Sequence, residues 1–449
     1  MHTLGVKGDG LTDDTDAIRK AIAAHRVLYF PTGFYIVTDT IALRPDTVII
    51  ALHPGNTQLD LPDSTPAFAG VGPPKALLEA PRGGTNIVAG LGLYTGGINP
   101  RAVAALWMAG ESSLMYDVRF HGPFVFFPQQ VRDRHYKAAQ PAAPGATGRW
   151  GAQYPSLWVT GGGGGTFAAV WSPNTFARSG FYVSDTRTPG YVYELSSEHH
   201  LAHEIKLERV ENWEFHAPQT EEESASSPDA VAIEIVDSRN ISFNNLKLYR
   251  VTRSHAPYPA AVRIYNSTDI RFRNVRTNSE HGYAVCDDNG CGTFLRAGKF
   301  PYDNAIQDMT RRVEVRERDF AVYEIAGEPG RPPATPPQST SGQTVERLEH
   351  GFHAIAGAAV DAKGTLYFVD NFDHRIYSWS DERGLSIVGD APLDPVNLAV
   401  ARSGDLLVVS SAGREGTVYS MRPGASPESI TVVEPRSMPS PPGALFVLP

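Results

Sequence analysis

Val210-Glu211-Asn212-Trp213-Glu214-Phe215, Ser238-Arg239-Asn240-Ile241-Ser242-Phe243 and Thr268-Asp269-Ile270-Arg271-Phe272 each end in an apolar residue, one polar residue and Phe. The three Phe stand 28 and 29 positions apart. Units of that length hold two or three short strands, more than a hairpin repeat holds. None can bury its own apolar face, so unit must stack on unit with Phe inside one continuous core. The pattern predicts an all-β chain wound as a single-stranded right-handed parallel β-helix. Periodicity alone also allows a sandwich or barrel. Asn212, Asn240 and Asn274 suit corner turns or inward polar ladders.

Upstream, Ala17, Ile18, Ala21 and Ile22 fall at helical spacing behind Asp13 or Asp14 as cap, which predicts a short helix covering one open end of the coil. Val27 to Phe30 and Gly33 to Val37 read as strand, Pro/Gly turn, strand. The Ala-, Pro- and Gly-rich stretch 129–155 reads as a loop inserted in a coil. Gly161 to Gly165 also reads as inserted loop, structural glycine or a mobile rim, with substrate-lining backbone the alternative, and it is no phosphate loop, since it lacks the Lys. The expected domains are a β-helix over 1–328, a Pro/Ser/Thr-rich linker over 329–349, and a small β module over 350–449. In that module Gly364 to Trp379 and Gly404 to Met421 repeat one hairpin design about 40 residues apart.

The composition narrows the partners. There are 449 residues, 42 of them Gly and 35 Pro, with a net charge of −9. No Lys/Arg run is long enough to track a phosphate backbone, and no apolar stretch reaches the length of a membrane span, so neither nucleic acid nor membrane is expected. Cys286 and Cys291 leave the redox compartment open, and no cofactor or metal is expected. No leader is visible. Secretion or a periplasmic location is expected only because polymeric glycans lie outside cells.

Gly5-Val6-Lys7-Gly8-Asp9-Gly10-Leu11-Thr12-Asp13-Asp14-Thr15, followed by Tyr29-Phe30-Pro31-Thr32-Gly33, resembles the opening of the pectate-lyase-like β-helix superfamily. That resemblance implies the fold and leaves the reaction open. Tyr193-Glu194-Leu195-Ser196-Ser197-Glu198-His199-His200, with Glu204 and then Gln219-Thr220-Glu221, resembles the catalytic coil of family 55 glycoside hydrolases, β-1,3-glucanases that work from chain ends with inversion. The resemblance covers roughly residues 1 to 330. It implies Glu221 as general acid and Glu198 as the group that holds or deprotonates water. Where that family has Pro and Tyr after its Gln-Thr-Glu, this chain has Glu222 and Glu223. The C-terminal repeats resemble blades of gluconolactonase and NHL-type propellers, and two blades do not close a ring.

Glu198 and Glu221 lie 23 residues apart, close to one coil. On neighbouring coils their backbones would be about 4.8 Å apart. Carboxylates that close disfavour simultaneous ionisation, so one can stay protonated as acid while the other stays charged. The spacing fits a retaining or an inverting pair. His199, His200, Gln219, Tyr193, Asp185, Trp213, His216 and Glu222 are the candidate substrate contacts, aromatic faces suiting sugar rings and polar groups suiting hydroxyls. The expected partner is a polysaccharide or oligosaccharide, neutral rather than polyanionic because the region is acidic. The alternatives are a lyase acting on an uronic-acid glycan, a glycan-binding or adhesion protein without catalysis, and a merely solvated acidic face.

Overall fold

The computed structural model describes residues 1–69, 73–96, 99–122, 135, 153–174, 176–223, 227, 230–251, 258–279, 286–287, 290–291, 302–327, 338–340, 343–345, 352, 355–370, 375–389, 395–410, 417–424 and 431–434. The chain divides into two compact units, one of Met1–Gly70, Pro74–Gln307 and Glu314–Gly327, the other of Val71–Pro73, Asp308–Val313 and Glu328–Pro449.

The first unit is a right-handed parallel β-helix. Its core follows from the repeat. Gly190–Tyr193 pairs in parallel with the end of His203–His216, which pairs with Arg239–Asn244, which pairs with Thr268–Ser279. Phe215, Phe243 and Phe272 are register partners, all buried, and their rings stack at 4.6 and 5.4 Å. Trp213 extends this column toward Phe167 and Phe181, and it fits only because its partner on the preceding coil is Gly190. A Cβ there would lie 2.3 Å from the indole.

The coils turn on single residues in the left-handed region. Asp117, Ala169, Glu194, Ala217, Asn245 and Asn274 all have φ between 48 and 56°, and the amides of Glu194 and Ala217 donate to the carbonyls of His216 and Asn244 on the following coil. Asn tolerates this region because its side chain can bond locally. Asn212 and Asn240 belong to a different corner, where Asn240 Nδ2 donates to Asn212 Oδ1 at 2.8 Å; Asn274 instead donates to Asn245. Of the two readings the sequence allowed, corner turns hold and an inward ladder does not: all three Asn are exposed left-handed corners, in two rows, because 212 aligns with 240 but not with 274.

Helix Thr15–Ala24 buries Ile18, Ala21 and Ile22 on the end of the core. The Asp14 carboxylate accepts from the amides of Lys7 and Gly8 at 2.7 and 2.8 Å, so it is Asp13 that receives the Thr15 amide at the helix start. Gly8 (φ 62°) sits so close to Tyr35 that a Cβ would come within 2.6 Å of the ring. The opening motif thus ties the cap to the first coil. At the other end Asp319–Ile325 pairs antiparallel with Thr268–Ser279 and covers the edge of the last coil. Gly161 to Gly165 form a close-packed corner, a Cβ on Gly163 or Gly164 lying 2.5 or 2.6 Å from a backbone carbonyl oxygen.

The second unit holds two four-stranded antiparallel sheets, Ile355–Val360 through Gly384–Gly389 and Pro395–Val400 through Thr431–Glu434. Tyr367, Val369, Ile376, Leu398, Leu406, Val408, Tyr419 and Met421 form its core. Most of 129–155 and of 329–349 lies outside the described residues. Among the described residues no helix is long and apolar enough to cross a membrane.

Candidate active site

Ser196–Glu198 and Gln219–Glu223 are parallel neighbours, with Ser196 beside Gln219, Ser197 beside Thr220 and Glu198 beside Glu221. Alternation sends Ser196, Glu198, Gln219 and Glu221 to one face and Ser197, Thr220 and Glu222 to the other, where all three are buried. Glu194 (φ 55°) starts the first strand with a corner, and His199 (φ 68°) ends it with another while its amide donates to the Glu221 carbonyl at 2.8 Å.

The two carboxylates differ in surroundings. Glu198 Oε1 accepts from Ser196 Oγ at 2.6 Å and from Gln219 Nε2 at 3.4 Å, and its Oε2 lies 3.9 Å from His199 Nε2. Glu221 is pushed up to about 7, first by burial and then by the negative charge of Glu198, Glu204 and Glu223, against a weaker opposite pull from Lys247. A carboxyl with that proton affinity is a proton donor at neutral pH. On the next coil Lys247 follows Gln219 and Tyr249 follows Glu221, with the Lys247 ammonium 5.3 Å from the Tyr249 ring centroid.

A polar network lies beneath this strand. His200 is fully buried, its Nδ1 2.5 Å from Glu204 Oε2 and its Nε2 2.9 Å from Ser172 Oγ. Ser197 Oγ donates to the Glu204 carbonyl at 2.8 Å and to Oε2 at 3.1 Å. Burial pushes His200 down to about 3 and Glu204 up to about 8, so the pair holds one proton and is neutral overall.

The structure sorts the remaining candidates. Gln219 and His199 adjoin Glu198. Tyr193 and His216 stack on each other at 5.0 Å on the face just before the Glu194 corner. Asp185 instead accepts from Arg209 at 2.6 Å. Three expected substrate contacts are corrected: Trp213 is a fully buried core residue, His200 is enclosed with Glu204, and Glu222 points inward, where it accepts from Tyr302 and burial pushes it up to about 8. Sequence reading passed over Ser196, Lys247 and Tyr249. Their only signal is coil register, which becomes visible once Glu198 and Glu221 are aligned. Among the described residues no three His, Cys, Asp or Glu gather as a metal site.

Residues 1–58 match the family model for rhamnogalacturonase A/epimerase, pectate lyase-like. A stretch of 66 residues is 39% identical to the pre-neck appendage protein of Bacillus phage B103, covering 15% of this chain and 8% of that protein. Solved structures of similar shape include sacteLam55A from Streptomyces sp. SirexAA-E, with 16% identity and a TM-score of 0.42 over 63% of this chain and 52% of that one. Another is the phiAB6 tailspike, in complex with oligosaccharides of Acinetobacter baumannii surface polysaccharide, with 12% identity and a TM-score of 0.41 over 95% of this chain and 73% of that one. This chain thus spans less than a tenth of its curated relative and about half of sacteLam55A. Reaction and substrate do not transfer across likenesses of this size.

Proposed function

We propose that this protein hydrolyses a glycosidic bond in a neutral polysaccharide or oligosaccharide, with β-1,3-glucan the first candidate. The observation that carries this reading is the register pairing of Glu198 with Glu221, which sets a carboxyl raised to about 7 beside an acceptor already bonded by Ser196 and Gln219. Glu221 gives its proton to the leaving glycosidic oxygen as the C–O bond breaks. Water attacks the anomeric carbon and passes a proton to Glu198. Inversion is the course implied by the Glu-His-His and Gln-Thr-Glu resemblance. A retaining enzyme would use Glu198 as nucleophile instead, and the anomeric configuration of the first product, read by NMR, separates the two.

The test is a panel of neutral and acidic glycans assayed for new reducing ends and for unsaturated product. Reducing ends without unsaturation support hydrolysis. Unsaturated uronide without hydrolysis replaces this reading with a lyase, and binding without either product replaces it with a glycan-binding protein.

A further inference from the structure

We infer that Tyr116, Ala168 and Tyr193 form a second sugar-binding site, a slot that takes one pyranose ring of a glycan beside the carboxylate pair. The three are register partners on successive coils, followed by His216. The residues just before them in their strands, Met115, Phe167 and Val192, are fully buried core, so alternation turns this row outward. Tyr116 is 52% exposed and Tyr193 41%.

The walls are set by their neighbours. The Tyr193 ring lies nearly parallel to the His216 imidazole, at 11° and 5.0 Å, so its other face is turned toward Ala168 and Tyr116. Glu214 Oε2, 3.2 Å from His216 Nε2, holds that backing ring in place. Between the two tyrosines the row holds only Ala168, whose side chain is a single methyl.

The width selects the occupant. Two coil steps separate the tyrosines, about 9.6 Å. Subtracting a van der Waals contact of about 3.5 to 4.0 Å on each side leaves about 2 Å of thickness. A planar ring is too thin to touch both walls; a chair pyranose, with C–H bonds on both faces, fits, and those faces suit the π surfaces of tyrosine. Only Glu194 and Leu195 separate Tyr193 from Ser196–Glu198, so the slot lies one corner away from the acid pair. The identity of the occupant rests on the glycan reading; the slot itself does not need hydrolysis.

The experiment is affinity electrophoresis in gels containing soluble β-1,3-glucan, a soluble β-1,4-glucan or polygalacturonate, run in the Glu221→Gln background so that no polymer is consumed, with wild-type hydrolysis of the same polymers measured in parallel. Tyr116→Ala, Tyr193→Ala and Ala168→Leu, which fills the slot without removing a wall, should each weaken retardation roughly 3- to 10-fold, the scale of one aromatic stacking contact. Tyr193→Phe should keep it. Unchanged retardation in Tyr116→Ala and Ala168→Leu, with circular dichroism showing both folded, overturns the slot even if wild type hydrolyses the polymer. Loss of retardation in those variants while wild type cuts nothing upholds the slot and removes the hydrolase reading. Failure of all three polymers to retard the protein overturns the slot.

Discussion

Replacing Glu221 by Gln is expected to slow turnover and stabilise the coil together, each with its own pH signature. The group is raised from 4.5 to about 7, mainly by burial and by the charge of Glu198. The folded chain therefore keeps a proton that the unfolded chain releases from about pH 4.5 upward. The group's contribution to stability is complete below pH 4.5 and is lost as pH rises through about 7. Gln cannot ionise, so variant and wild type should unfold alike at pH 4, and the variant should be more stable at pH 8. One pKa unit corresponds to about 1.4 kcal/mol, and solvent screening of this partly exposed side chain reduces the expected gain to about 1 kcal/mol. Urea unfolding followed by tryptophan fluorescence at pH 4, 6 and 8 measures it. On a glycan that wild type cleaves, kcat should fall roughly 10²-fold or more, and the wild-type decline in rate through about pH 7 should vanish. An activated leaving group should restore part of the loss for Glu221→Gln and much less for Glu198→Gln. Wild-type turnover in Glu221→Gln, or a stability difference that does not change with pH, refutes this assignment.

Phe243→Ala removes the middle ring of the Phe215–Phe243–Phe272 stack and should destabilise the coil by about 3–5 kcal/mol; an unchanged urea midpoint would mean that the column is not the core. Tyr302→Phe takes away the hydroxyl that donates to buried Glu222 and should cost about 1–3 kcal/mol at pH 7. Equal unfolding curves for this variant and wild type would show that the bond contributes nothing.

The Phe spacing made the coil legible because one ring per turn must align if each turn is to bury its face. Asn212, Asn240 and Asn274 do stand at left-handed corners, as turn residues, but 34 residues separate the last two where a coil there takes 28 or 29, so Asn274 falls in the row of Asn245. The acidic pair was legible because 23 residues is nearly one coil. Which neighbours share its face was not, because side-chain direction alternates and one residue decides it. Glu222 stands next to Glu221 in sequence and points the opposite way. Trp213 and His200 looked like pocket residues by type, yet a Gly makes room for each inside, Gly190 on the coil before the indole and Gly180, whose Cβ would lie 2.5 Å from the imidazole. Pairings between residues far apart in sequence leave no trace in local composition.

The buried His200–Glu204 pair yields the last prediction, and it links the interior to the site through Ser197, which stands between Ser196 and Glu198. Folded, the pair keeps one proton from about pH 3 to about pH 8, whichever atom carries it. Unfolded, with ordinary values of 4.5 and 6.5, the same two groups hold two protons below pH 4.5, one between 4.5 and 6.5, and none above. The difference in bound protons therefore changes sign across that window: stability from this pair is greatest between pH 4.5 and 6.5, falls as pH drops toward 3, and falls as pH rises toward 8. Glu204→Gln preserves volume and removes the acid, so the alkaline loss should disappear. Glu221 and Glu222 are also raised and add slopes of the same sign, so the quantity to measure is the difference between variant and wild-type unfolding free energy at each pH. That difference should shift in favour of the variant from pH 6.5 to 8. Parallel curves over that interval would show that the pair releases its proton with ordinary affinity and that the interior beneath Glu198 is wetter than its burial implies.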